Sequence, residues 1–191
     1  MNFGQESADC VVSGVCYNKY TETRINMSGE KYMKTRIIGT GSCLPGHVVT
    51  NDDLSKIMDT SDEWISSRTG IRERHLAKEE TTASMSTEAA RRALENAGVT
   101  AQEIDLILLG TVTAAHVTPS CACEVQAALG ADQAVAFDIN AACSGFMFAL
   151  NIANAYLQAG MYKMALVLGA ETLSKIMDWN DRSTCVLFGD G

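Results

Sequence analysis

The sequence predicts an α/β layered fold, a largely parallel mixed sheet with helices on both faces. Three observations carry that expectation. Short apolar runs recur from Thr35 onward, segments of helical periodicity lie between them, and several runs are continuous rather than alternating, as in strands covered on both sides.

Residues 1–32 are polar and show no sustained period. They read as a poorly ordered extension or a mis-assigned start, with Met27 and Met33 as alternative first residues, and the patterned chain occupies 33–191. RIIGT (36–40) is the first expected strand. Thr81 or Thr82 then caps a helix in which Met85, Ala89, Ala93 and Ala97 share a face; Glu88 pairs with Arg91 or Arg92, and Gly98 stops it. IDLILLGT (104–111) is the next strand, and Pro119 opens a helix that runs to Leu129 and closes at Gly130. AVAFDI (134–139), KMALVLGA (163–170) and TCVLF (184–188) complete the expected strands. Between the first two of these lies a helix from Gly145 to Ala159 whose polar side chains are only Asn151, Asn154 and Gln158. One narrow polar stripe on an otherwise apolar helix predicts burial in the middle of the structure.

Composition excludes several functions. With 191 residues, 47% hydrophobic, 20% charged and a net charge of −8, the chain can bury a substantial core and does not have the charge of a nucleic-acid binder. Its seven cysteines contain no C-x-x-C pair, which suits reduced thiols; Cys121 and Cys123, two apart in a helix, point apart rather than toward a common metal. No signal-peptide pattern is read in the first thirty residues. The uncharged run from Ile139 to Tyr162 is long enough to test as a membrane span, but Asn140, Ser144, Asn151, Asn154 and Gln158 interrupt it and strands flank it closely.

Two constellations can carry chemistry. A strand, the small bend Asn140-Ala141-Ala142, and Cys143 at a helix start form a strand–turn–nucleophile–helix arrangement. Free N–H groups there favour a thiolate by about 0.3–1 kcal/mol, at most ~2, and can hold an oxyanion; efficient catalysis would want a second activating group. Spacing alone leaves Cys143 open between a nucleophile and a small buried hydrophobe. Ser144 is no hydrolase elbow, because Ala142 and Phe146 replace the required glycines. In TSDEWISSRTGIRERH (60–75), Thr60 or Ser61 caps a helix on which Trp64 and Arg68 share a face, a surface suited to a nucleotide base and phosphate or, equally, an ordinary amphipathic helix. Gly39 and Gly41 make a poor dinucleotide loop, since position 44 is Leu; His47, His75 and His116 have no ligand or dyad spacing.

On RIIGTGSCLP (36–45), DTSDEWISSRTGIRERH (59–75), DINAACSGF (138–146) and DRSTCVLFGDG (181–191), the chain from about Met33 to Gly191 closely resembles the N-terminal half of β-ketoacyl-acyl carrier protein synthase III, a thiolase-like family. The resemblance implies a priming condensing enzyme of type II fatty acid synthesis. Cys143 would take an acyl group from acyl-CoA, and malonyl-acyl carrier protein would then decarboxylate and attack the thioester. It assigns Trp64, with Arg182 opposite, to the CoA adenine, Thr60 and Arg68 to the same mouth, and Thr118 to the dimer interface beside the acyl pocket, where a smaller side chain leaves room for longer primers. No cofactor or metal is implied, acyl-CoA being a substrate, and a cytoplasmic homodimer with no membrane or nucleic-acid partner is expected. The family's catalytic His and Asn match nothing here, so the chain is expected to be a truncated piece, inactive in condensation alone. Two other readings remain: a related enzyme of polyketide or specialised metabolism, and a non-catalytic CoA-binding or interaction module.

Overall fold

The computed structural model describes residues 13–17, 24–25, 31–32 and 35–191. In chain order the strands are β1 (Ser13–Tyr17), β2 (Arg24–Ile25), β3 (Lys31–Tyr32), β4 (Arg36–Gly41), β5 (Val48–Thr50), β6 (Glu73–His75), β7 (Leu106–Gly110), β8 (Val135–Ile139) and β9 (Met164–Gly169). The helices are α1 (Asn51–Leu54), α2 (Asp62–Thr69), α3 (Thr82–Ala97), α4 (Cys121–Leu129), α5 (Gly145–Gln158) and α6 (Arg182–Cys185). The main sheet has the order β4-β1-β9-β7-β8; β7 is parallel to β8 and β9, whereas β1 is antiparallel to both of its neighbours.

Strand period two assigns the two faces. Leu106 and Leu108 of β7, with Ala165 and Val167 of β9, pack on Ala149, Ala153 and Leu157 of α5. Ile107 and Leu109, with Leu166 and Leu168, face Ala90, Ala93 and Leu94 of α3 and Ala122 and Val125 of α4. Helices therefore cover both faces, as the continuous apolar runs required. A smaller cluster of Leu54, Ile65, Cys185 and Val186 joins α1, α2 and α6 beside the β5–β6 pair.

The helix boundaries follow local signals. Thr81 accepts from Ser84 N and closes a capping box on α3, and Gly98 ends it at φ 67°; Ser120 caps α4, and Gly130 ends it at φ 71°. Glu88 pairs with both candidate partners, at 2.8 Å to Arg92 and 4.0 Å to Arg91. Gly39 and Gly41 serve packing: a Cβ there would lie 2.4 Å from Ala93 O and 2.3 Å from Ala89 O, so β4 lies against α3 backbone to backbone.

Three expectations need correction. Residues before Met33 are not wholly irregular, because Ser13–Tyr17 stands inside the main sheet, paired from Ser13↔Gly41 to Tyr17↔Arg36 on one side and from Gly14↔Val167 to Tyr17↔Met164 on the other. The other residues of that expectation, apart from the short β2–β3 pair, lie outside the described residues. TCVLF (184–188) is not a strand: Asp181 accepts from Ser183 N and Thr184 Oγ1 and starts the helical turn α6 instead. Finally, α5 is covered on one side only. Met147 and Phe148 are about half exposed (55% and 51%), so its apolar composition exceeds what packing within this chain uses. Among the described residues, no helix is long and apolar enough to cross a membrane.

Candidate active site

The C-terminal ends of parallel strands leave backbone groups and loops free to build a site, and Cys143 stands there. β8 ends at Ile139; Asn140 and Ala141 bend the chain, and the 3₁₀ turn Ala142–Ser144 feeds α5. Ala142 adopts φ 45°, a left-handed conformation that a Cβ disfavours, so its surroundings hold the turn. Those surroundings are visible: Thr111 N donates to Ile139 O (3.2 Å), and Gly145 lies directly against Gly110. The Cys143 side chain is exposed rather than buried, and opens into a cavity of about 450 Å³. Gly110, Val112, Phe146, Gly169, Leu187 and Phe188 give this cavity largely apolar walls, while Glu171 and Asp190 supply its carboxylates.

Asp190 is buried and fully engaged. It accepts from Ala77 N, Ser174 N and Ser174 Oγ, and so ties the chain near Gly191 to two other segments. No histidine lines the cavity: His75 Nδ1 lies 2.6 Å from Pro45 O and His116 Nδ1 2.9 Å from Glu124 Oε1. The other thiols differ from Cys143. Cys121 is buried, and burial, followed by the nearby carboxylates of Asp138, Glu124 and Glu171, pushes its thiol up to about 12.

The second constellation assembles as the spacing predicts. Ser61, rather than Thr60, caps α2 by accepting from Trp64 N, and Arg68 one turn on donates to Trp64 O. The Arg68 guanidinium carbon lies 4.6 Å from the Trp64 ring centroid, and that of Arg182 lies 4.5 Å away. Arg182 is held by Asp59, whose backbone carbonyl accepts from Nη1. A base stacked between Trp64 and Arg182 needs two van der Waals separations, about 7 Å in all. Arg182 must therefore swing outward to admit one. Beside this cluster the Thr60 hydroxyl is buried without a hydrogen-bond partner among the described residues.

The two constellations are joined by one segment. Arg182 opens α6, and Leu187 and Phe188, a few residues on, line the Cys143 cavity. Thr118 is not brought in: it is exposed, on the segment before α4, and does not line the cavity. Sequence reasoning missed Glu171, whose only signal was a carboxylate just beyond the C-terminal end of a buried strand.

The layered sheet with a cysteine on a strand–turn–helix bend at its strand ends is thiolase-like, as its solved structural neighbours are. The comparisons with known proteins narrow this further. A family model described as 3-Oxoacyl-[acyl-carrier-protein (ACP)] synthase III matches residues 137–191. The chain is 59% identical over 162 residues to the β-ketoacyl-[acyl-carrier-protein] synthase III of Xanthomonas campestris pv. campestris, covering 84% of this chain and 50% of that protein. Among solved structures it is similar to 3-oxoacyl-[acyl-carrier-protein] synthase III from Aquifex aeolicus VF5, at 58% identity and TM-score 0.79, over 80% of this chain and 50% of that one. It also resembles the priming β-ketosynthase of the R1128 polyketide biosynthetic pathway, at 43% identity and TM-score 0.80, over 82% and 47%. The chain is similar to β-ketoacyl-acyl carrier protein synthases III, and spans about half the length of the curated relatives it matches.

Proposed function

We propose that this chain carries the acyl-accepting part of a β-ketoacyl-acyl carrier protein synthase III. The observation that carries the reading is the exposed Cys143 at the start of α5, facing an apolar-walled cavity. In the first step the Cys143 sulfur attacks the acyl-CoA carbonyl, the C–S bond to CoA breaks, and the thiol proton leaves with CoA. Malonyl-acyl carrier protein then loses CO2; its carbanion attacks the acyl-cysteine carbonyl, the C–S bond to Cys143 breaks to release β-ketoacyl-acyl carrier protein, and a proton from solvent restores the thiol. The Trp64, Arg68 and Arg182 cluster, with the Thr60 hydroxyl, would hold the CoA adenine and its phosphates. Thr118 would act across a homodimer, since within one chain it does not reach the cavity. A cytoplasmic setting, in which the free thiols stay reduced, completes the proposal.

The same geometry supports acylation without condensation by this chain alone. The side chains lining the cavity offer no donor to the developing carbanion: its charged members are the Glu171 and Asp190 carboxylates. Incubation with acyl-CoA of increasing chain length, followed by mass measurement of the Cys143 peptide, tests the reading. A hydroxylamine-labile acyl adduct on Cys143, lost in Cys143→Ala, is expected; no adduct with any acyl-CoA would refute it. The likeness to the R1128 priming β-ketosynthase supports a second reading, a synthase III-like role in specialised metabolism. Neighbouring genes of fatty acid synthesis or of a specialised cluster would discriminate the two.

A further inference from the structure

Glu171 follows β9 directly after Ala170 and lies at the meeting point of three segments. Its carboxylate is a hub for the segment after β7. Val112 N–H donates to Oε1 (2.9 Å) and to Oε2 (3.2 Å), Thr111 Oγ1 donates to Oε2 (3.1 Å), and Thr113 Oγ1 donates to the same oxygen. Its main chain is paired in both directions with Gly191, Glu171 N donating to Gly191 O (2.7 Å) and Gly191 N to Glu171 O (2.9 Å). Behind it, Thr113 Oγ1 accepts from Thr172 N (2.8 Å), and Thr82 Oγ1 of α3 donates to Thr113 O (3.0 Å). Val112, Glu171 and Gly191 all line the Cys143 cavity, and Val112 supplies an apolar side chain to its wall. The Val112 backbone N–H is thus tied to the rest of the cavity wall through the Glu171 carboxylate, while its neighbours Thr111 and Thr113 keep further bonds of their own.

We infer that Glu171 is a positioning residue that fixes the Val112 wall of the Cys143 cavity and thereby limits the size of the group the cavity admits. The inference deepens the proposed acyl-accepting role and rests on it for its biological meaning, but the geometry can be read without acyl transfer. Hydrogen bonds to a carboxylate are the stronger kind, and removing the acceptor leaves the Val112 N–H and two hydroxyls to find other partners, which loosens the segment at Val112 while Thr111 N and Thr113 keep their remaining bonds.

The test compares the full chain with Glu171→Ala and Glu171→Gln by two measurements. The first is amide exchange at Val112, expected to speed up about tenfold or more in the alanine variant. The second is the rate at which N-ethylmaleimide and N-octylmaleimide label Cys143, read from the mass of its peptide. The octyl-to-ethyl rate ratio should rise in Glu171→Ala, and less in Glu171→Gln, whose remaining oxygen keeps an acceptor for Val112 N–H. Exchange in the β7 core, Ile107 to Leu109, should stay unchanged, which a general loosening of the fold would not allow. If the alanine variant does not fold, the glutamine variant decides on the same two readouts. Unchanged Val112 exchange together with an unchanged rate ratio overturns the inference. A wild-type chain that takes no acyl group from acyl-CoA would defeat the proposed function while the maleimide ratio still decides the role of Glu171.

Discussion

The position of Cys143 depends on how closely α5 approaches β7, and one methyl group tests this. A Cβ on Gly110 would lie 2.5 Å from Gly145 C and 2.8 Å from Gly145 Cα and Phe146 N, all of them backbone atoms that no rotamer change can move. Restoring an ordinary 3.4 Å contact requires the strand end and helix start to separate by about 0.9 Å. A gap of that size forfeits a quarter to a half of the dispersion energy of the contacts it opens, here those of Ala149, Ala153 and Leu157 on the sheet. Gly110→Ala is therefore expected to cost about 2–4 kcal/mol, at or above the upper part of the overpacking range. The reciprocal change is milder. A Cβ on Gly145 would meet Gly110 Cα at 3.0 Å, and Gly145 already has helical angles (φ −54°, ψ −48°). Alanine there gains up to about 1 kcal/mol of helix propensity, so Gly145→Ala should stay within about 1 kcal/mol of the parent. Denaturant titration followed by circular dichroism measures both, and the rate of Cys143 alkylation shows whether the helix start has moved. Equal stability of Gly110→Ala and the parent, or a larger loss in Gly145→Ala, would refute the close-approach argument.

Two further outcomes follow from the sheet and the thiols. Removing residues 1–32 takes away β1 and leaves the facing edges of β4 and β9 unpaired, at about 1–3 kcal/mol for each backbone group without a partner away from water. The shortened chain should unfold at clearly lower denaturant or precipitate, and an unchanged midpoint would remove β1 from the sheet. At pH 8, iodoacetamide should label exposed Cys143 and spare Cys121, whose thiol, with a pKa pushed up to about 12, remains protonated even at pH 10. Mass mapping of the two peptides checks this, and comparable labelling would show that the core around Cys121 opens.

What could be read in the sequence was what nearby residues decide. β7 and β9 announce themselves as continuous apolar runs because both of their faces are covered, and α3 announces both ends because its cap and stop are single residues in contact with it. The bend at Cys143 was legible for the same reason: strand, small residues and helix succeed one another within a few positions. TCVLF misled because its apolar residues serve two different surfaces. Cys185 and Val186 enter the cluster with Leu54 and Ile65, whereas Leu187 and Phe188 turn to the Cys143 cavity, and the Asp181 cap decides the backbone ahead of both. β1 was illegible because the pairing that makes it a strand comes from β4 and β9, far along the chain, and no local period can report it.

The same distinction explains why the Cys143 bend was easier to find than the residue that ties the wall of its cavity. The placement of Cys143 is a property of one bend, so the pattern around it carries that placement. Cavity shape is a property of separate strand ends held at fixed spacing, and here that spacing runs through contacts between Glu171 and residues 58 to 60 positions earlier. A carboxylate used in this way has no motif, since its donors are two hydroxyls and a backbone N–H that many sequences could provide. Its position does carry a physical signature: a charge placed just beyond a fully apolar parallel strand, where solvation is poor and free donors are close by. Such a residue is either solvated at a cavity mouth or committed to tying strand ends together. In this chain Glu171 does the second while lining the cavity, so a change there should alter which groups reach Cys143 before it alters whether the fold forms.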